Sequence, residues 1–245
     1  MQFMNEQKRG NVWACSDLHG QKELLEQIRK FLQPDDVVYF LGDAADRGHY
    51  GWEMIKTIAR DNRFISIKGN HEDMLIAAAN AYLPHCGLGS EFSLLAHNGG
   101  KTTFYDFTCD QWGAEWIEHI NKYPTSAFYQ NTQNQLVLLS HAGYTPVYDP
   151  EDDGMWMPED EDLIWSRDHF WDEWDEKHFS DVVVVHGHTP IPYLAEDLNL
   201  PEDFNCEEPL WYANRHKVCI DSAAFVTDMC FLLNLDTWEH TIFRK

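Results

Sequence analysis

Short apolar runs alternating with amphipathic stretches organise the first third of the chain. Val12, Trp13, Ala14 and Cys15, inside residues 11–16, predict a first strand, since a run of this length bounded by polar residues suits a strand covered on both faces. Across residues 21–33 the period becomes helical, with Leu24, Leu25, Ile28 and Leu32 on one face, and Pro34 followed by two aspartates ends the helix. Residues 37–41 predict a second strand, Trp52, Ile55, Ile58 and Ala59 a second helix, and residues 64–67 a third strand. This βαβαβ run is expected to form a parallel sheet whose strand ends gather on one rim.

The pattern is less regular downstream. An alanine-rich helix is expected over residues 73–83, an irregular stretch over 84–100, and a further helix through Trp112, Trp116, Ile117 and Ile120. Together these predict a helical insertion near residues 80–125. Residues 136–139 and the four valines 182–185 predict buried strands. Between them, residues 149–177 are dense in acid and tryptophan, lack a clear period before 160–174, and read as a surface flap. Trp156, Trp165, Trp171 and Trp174 are expected chiefly to anchor this flap, because aromatics are burial residues first. Residues 218–220, 229–235 and 238–243 predict closing antiparallel strands. A length of 245 residues suits one domain, 1–245, carrying these insertions.

Composition narrows the function. With 44% apolar residues, 14 Phe, 10 Tyr and 10 Trp, the chain is expected to pack as a globule. A formal charge of -23, from 41 acidic and 18 basic side chains, would repel an extended phosphate backbone, so nucleic acid is a poor partner. A small or protein-borne phosphate stays compatible if bound cations invert the local field. The six cysteines form no CxxC pair and read as reduced thiols filling the core. Residues 1–10 are polar and no run approaches about 18 apolar residues, so neither export nor membrane spanning is expected and the location reads as cytoplasmic. Oligomeric state is not legible.

Chemistry concentrates where the strands end. The exits carry Asp17 with His19, Asp43 with Asp46 and Arg47, Asn70 with His71, His141, and His186 with His188. An aspartate placed as Asp43 is can bridge two ions, Asp46 can orient an imidazole, and the Arg47 fork suits phosphate. The loop 42–48 alone could be a polar turn, and any one histidine a hydrogen-bonded loop residue. Five such exits in succession outweigh those readings. Carboxylate, amide and imidazole donors without cysteine fit a pair of Mn, Fe or Zn ions better than a cysteine-rich zinc site or an all-oxygen calcium site.

The ordered motifs Asp17-x-His19-Gly20, Gly42-Asp43-x-x-Asp46-Arg47-Gly48, Gly69-Asn70-His71-Glu72, His141-Ala142-Gly143 and Gly187-His188-Thr189 resemble those of the binuclear metallophosphoesterases. The resemblance is to the phosphoprotein phosphatase branch, which includes bacterial and phage serine/threonine phosphatases. It implies an α/β fold, the calcineurin-like four-layer αββα sandwich with mixed sheets. It also implies two divalent ions, Mn first and Fe or Zn next. Asp17 and His19 would hold one ion, Asn70, His141 and His188 the other, and Asp43 both. His188, which follows a glycine, is selected over His186. The same resemblance makes His71 the general acid, Asp46 the residue holding its ring, Arg47 a phosphate clamp and, by a looser match, Arg167 a second clamp. Two departures stand out: Ala44-Ala45 replace a larger apolar residue, and Asp221-Ser222-Ala223 stands where related chains often carry Asp-Thr-Gly.

The expected activity is therefore hydrolysis of phosphate monoesters by hydroxide held between two ions, with phosphoserine or phosphothreonine proteins, or small phosphate esters, as substrates. The alternative is symmetrical hydrolysis of dinucleoside polyphosphates such as diadenosine tetraphosphate. A different class, a phosphate- or metal-binding module without activity, is disfavoured because no residue of the inferred set is missing.

Overall fold

A computed structural model describes residues 10–84, 87–201 and 203–245; the expectations for residues 1–9 and for Cys86 fall outside them. The first sheet contains β1 (Val12–Cys15), β2 (Val37–Phe40), β3 (Phe64–Ser66), β11 (Met229–Asn234) and β12 (His240–Arg244), in the order β12-β11-β1-β2-β3. β1, β2 and β3 are parallel, as the βαβαβ pattern predicts, and β11 and β12 extend the sheet beyond β1 as antiparallel strands. The second sheet contains β4 (Ser126–Gln130), β5 (Leu136–Ser140), β8 (Val182–His186), β9 (Leu210–Tyr212) and β10 (Lys217–Cys219), in the order β4-β5-β8-β10-β9. β6 (Val147–Asp149) and β7 (Gly154–Trp156) form a separate hairpin.

The period-two alternation of side chains explains why both sheets are apolar on both faces. Val12 and Ala14 of β1 meet Val137 and Leu139 of β5 and Val183 and Val185 of β8 in a core between the sheets. Trp13 and Cys15 point the other way, into a layer with α1 (Lys22–Phe31), α2 (Gly51–Arg60) and α3 (Asn70–Tyr82). Val182 and Val184 likewise turn outward, toward α7 (Asp160–Trp165) and α8 (Glu176–Phe179), while α9 (Ile191–Asp197) covers the β9–β10 end. The result is helix, sheet, sheet, helix, an α/β fold with mixed sheets. Each fully buried Val or Leu contributes roughly 1.5–3 kcal/mol, so the inter-sheet core suffices to clamp the two rims together.

Several expectations change. Residues 218–220 were expected to be antiparallel, which holds on one side only: β10 is antiparallel to β9, with Val218 opposite Trp211, but parallel to β8, with Val218 opposite Val185, and so sits inside the second sheet. The stretch 84–100 is not wholly irregular, because α4 (Ser90–His97) lies in it. It is followed by α5 (Lys101–Cys109) and α6 (Gly113–Ile120). The segment 149–177 is more than a surface flap: Leu163, Ile164, His169 and Phe170 are buried. Its tryptophans divide, Trp165 and Trp174 packing against the core while Trp156 and Trp171 are exposed.

The Asp221-Ser222-Ala223 departure has a local cost. Ala223 opens the short α10 (Ala224–Thr227) at φ 58° and ψ 46°, a left-handed conformation that L-residues adopt at a cost of about 1–2 kcal/mol. Ala223→Gly is expected to stabilise the fold by about 0.5–1 kcal/mol, the relief exceeding the added chain entropy, and to raise the urea midpoint. A lower midpoint would show that the Ala223 methyl group matters more than its backbone.

Candidate metal centre

The site lies where the carboxyl ends of the two sheets meet. Hydrogen bonds tie the loops of this rim together, first within the first sheet and then across to the second. Asp17 N–H donates to the Gly42 carbonyl at 3.1 Å, and His19 N–H to that of Asp43 at 2.9 Å. From the second sheet, His141 Nδ1–H donates to the Leu41 carbonyl at 2.8 Å, and the His188 N–H lies 3.1 and 3.2 Å from the two Asp17 oxygens. Six of the ten residues singled out by sequence occupy the left-handed region: Asp17, His19, Asp43, Asp46, Arg47 and His188. Such backbone states cost roughly 1–3 kcal/mol each and persist only where the surrounding structure over-determines them.

Asp43 is the centre of the arrangement. Its Oδ2 is 3.6 Å from His19 Nε2, and its Oδ1 is 3.5 Å from His141 Nε2. Around His141 Nε2 lie Asn70 Oδ1 at 2.9 Å and His188 Nδ1 at 3.1 Å, and those two atoms are themselves 3.1 Å apart. Asp17 stands between the groups, its Oδ1 4.0 Å from His19 Nε2. Ligand atoms of Asp17, Asp43 and His141 fall within 4.8 Å of one another, as do those of His19, Asp43 and His71. The geometry thus also puts His71 beside the first group and Asp17 beside the second.

These donors fit cations. His19 Nδ1–H donates to the Ala45 carbonyl at 2.9 Å, as His141 Nδ1–H does to Leu41, so both Nε2 atoms carry lone pairs. Asn70 Oδ1, His141 Nε2, Asp43 Oδ1 and His188 Nδ1 then share at most one proton, and acceptors crowded at this spacing repel unless positive charge lies among them. His188 Nε2 is buried without a partner, leaving Nδ1 as the atom aimed at the cluster. None of Asp17, His19, Asp43, Asp46, Asn70, His71, His141 and His188 is more than 7% exposed. Burial lowers the pKa of His19, His141 and His188, favouring the neutral ligand form. Asp43 moves down despite burial because His141, His71, His19 and His188 face it.

His71 differs from the other imidazoles. Its Nδ1–H donates to Asp46 Oδ2 at 2.7 Å, and its Nε2 lies 3.2 Å from an Arg47 nitrogen and 3.8 Å from Asp43 Oδ2. Burial would lower its pKa, but Asp43 and Asp46 outweigh burial and the net shift is upward. Arg47 is exposed at the mouth, 2.9 Å from His19 Nε2. Arg167, also exposed, donates from Nε to Thr189 Oγ1 at 2.9 Å, beside His188, without bonding directly to the other predicted residues.

Two neighbours were not assigned a part from sequence. Glu72 is buried at the start of α3 and accepts backbone N–H groups from Asp43 at 2.8 Å, Ala44 at 3.0 Å and Gly69 at 3.0 Å, fixing the loop that carries Asp43. Its bond back to the Gly69 N–H is the glutamate half of a capping box; Gly69 has no side chain to supply the other half, so the sequence lacks the full signature. Phe225 lays its ring 4.5 Å from the Arg47 guanidinium and 5.5 Å from the His19 ring. No local pattern relates it to Arg47, 178 residues earlier in the chain.

A family model described as calcineurin-like phosphoesterase matches residues 10–220, a span containing every residue of this centre. The chain belongs to the calcineurin-like phosphoesterase family. Among curated relatives, it is 44% identical over 72 residues to a serine/threonine-protein phosphatase of Caenorhabditis elegans. It is 30% identical over 80 residues to serine/threonine-protein phosphatase 2 of Escherichia coli K12. These matches cover 26% and 31% of the chain and only 15% and 36% of those relatives. Among solved structures, a candidate diadenosine tetraphosphatase aligns with a TM-score of 0.61 at 15% identity, covering 97% of this chain and 94% of that one. A Saccharomyces cerevisiae serine/threonine phosphatase with similarity to human PP5 aligns at 0.59 and 14% identity, covering 98% and 82%. At such identities the structural likeness establishes the fold. The calcineurin-like phosphoesterases are hydrolytic, metal-dependent enzymes, and the described residues hold the candidate ligand groups given above. Among those residues no helix is long and apolar enough to cross a membrane.

Proposed function

We propose that this chain is a binuclear metal-dependent phosphomonoesterase of the serine/threonine protein phosphatase type. The observation that carries this reading is Asp43, whose two oxygens face separate ligand groups, with the His71–Asp46 pair alongside. Asp17, His19 and Asp43 would hold one ion, and Asp43, Asn70, His141 and His188 the other. Mn is the first choice, with Fe or Zn next. When bound, the pair supplies an activated water and neutralises phosphate oxygens.

The protein's own groups perform the remaining work. Arg47 and Arg167, both at the open mouth, bind the equatorial phosphate oxygens. His71 delivers a proton from Nε2 to the leaving alkoxide, and Asp46 accepts the Nδ1–H bond that orients the ring and favours its charged form. Asp43 is assigned to metal binding, and His71 to acid catalysis rather than ligation, because Asp43 and Asp46 together favour its charged form, whereas burial favours the neutral form of His19, His141 and His188. A cytoplasmic location and phosphoprotein substrates belong to the same reading.

Purified protein loaded with Mn should release phosphate from phosphoserine and phosphothreonine peptides with kcat/KM at least about 10-fold above that for diadenosine tetraphosphate. The reverse ranking would favour the dinucleotide hydrolase, for which exposed Phe225 offers a stacking surface. Two bound ions without turnover of either substrate or p-nitrophenyl phosphate would contradict both in favour of a binding module.

A further inference from the structure

Beneath the two loops of the second sheet lies a buried ammonium that the proposed chemistry does not use. Lys217, on β10, is 0% exposed and has no carboxylate within 4.0 Å among the described residues. A buried charge whose counter-charge, the exposed Asp172, acts only from beyond 4.0 Å costs stability, so its presence calls for another reason. Its Nζ donates to the His169 carbonyl at 2.6 Å, to Thr145 Oγ1 at 2.5 Å and to His169 Nδ1 at 3.4 Å, using all three protons. Because Nδ1 accepts, the His169 ring proton sits on Nε2, which donates to the Ala142 carbonyl at 2.9 Å, directly after His141.

The ammonium reaches the other loop as well. It stands 5.7 Å from the Tyr212 ring, whose hydroxyl donates to His186 Nε2 at 2.7 Å. His186 Nδ1–H in turn lies 3.0 Å from the Gly187 carbonyl, directly before His188. The two imidazoles meet edge to face at 5.5 Å. Gly143, at φ +81°, leaves them room, since a Cβ there would come within 2.8 Å of His186 and 2.9 Å of His169. Each loop carrying a proposed ligand is therefore gripped at the carbonyl next to that ligand, and both grips converge on one lysine. Burial pushes the Lys217 ammonium down to about 8, which leaves it charged at neutral pH.

We propose that Lys217 is a positioning residue that sets the spacing of His141 and His188 through His169 and Tyr212, and so fixes the affinity of the second ion. This rests on the ligand assignment above. It is tested with purified full-length protein titrated with Mn in a calorimeter, alongside thermal melts of the metal-free protein. The unaltered chain is expected to bind two ions. Lys217→Met, similar in length but without donors, should weaken the second ion by about 10-fold or more while the melting temperature holds or rises. His169→Gln, which keeps an N–H for Ala142 and an acceptor for Lys217, should stay within about 3-fold of the unaltered chain, whereas His169→Leu should match Lys217→Met. Undiminished affinity in Lys217→Met and His169→Leu would overturn the proposal. A loss only in step with a lowered melting temperature would overturn it too, by making Lys217 merely structural. If Lys217→Met does not fold, the two His169 variants decide alone. Failure of the unaltered chain to bind two ions would overturn the ligand assignment itself and the proposal with it.

Discussion

Asp43→Asn is expected to abolish tight binding of both ions and to lower kcat by about 10³ or more, while either neighbouring ligand variant loses chiefly one ion. The reason is geometric and electrostatic. Asp43 supplies one oxygen toward His19 and the other toward His141, and both candidate ligand groups include it. An amide presents one oxygen instead of two, carries no charge, and turns an N–H₂ toward one of these groups. Asp43 is 2% exposed, so no water can stand in readily. Metal content by elemental analysis and turnover of p-nitrophenyl phosphate would be read together. A variant keeping two ions and more than a tenth of the rate would remove Asp43 from its central place.

His71→Asn should separate acid catalysis from metal binding. Two ions remain bound, yet hydrolysis of phosphoserine peptide, whose alkoxide is a poor leaving group, slows by roughly 10² or more, and aryl phosphates suffer less. The pH dependence gives a second reading. The folded pKa of His71 is raised above its ordinary value of 6.5, so its protonated form is fully present below 6.5 and is lost as pH rises through the raised value. The stability it contributes has the same window. The alkaline limb of kcat should therefore report this loss, and Asp46→Asn should move that limb to lower pH by removing a charge that holds the proton. Full activity of His71→Asn on phosphoserine peptide, or an unmoved limb in Asp46→Asn, would count against this assignment.

Much of this was legible because strand interiors and strand exits obey different rules. β1, β2, β5, β8 and β11 are short apolar runs, and polar residues stranded at their ends stand out. Which sheet each strand joins was not legible. β10 pairs in parallel with β8, a partnership set by register across more than 30 residues rather than by anything in Lys217, Val218 and Cys219 themselves. α4 escaped because it buries only Leu95 and so lacks an apolar stripe, and β9 because three residues cannot display a period. At the site, the side chains named from sequence do lie together, but the backbone that holds them was not legible. Asp, His and Arg held at positive φ give none of the notice that a glycine would. Lys217 is the sharpest case, for in sequence a lysine near a strand reads as surface, and only the folded chain puts its ammonium under two histidine loops.

The central claim is that residues from two sheets converge on a pair of cations shared by Asp43. Anomalous diffraction from Mn-loaded crystals, collected above and below the manganese edge, tests it most directly. Two peaks about 3.5–4 Å apart with Asp43 between them are expected, one beside Asp17 and His19 and the other beside Asn70, His141 and His188. A single peak, or peaks that Asp43 does not touch, would contradict it.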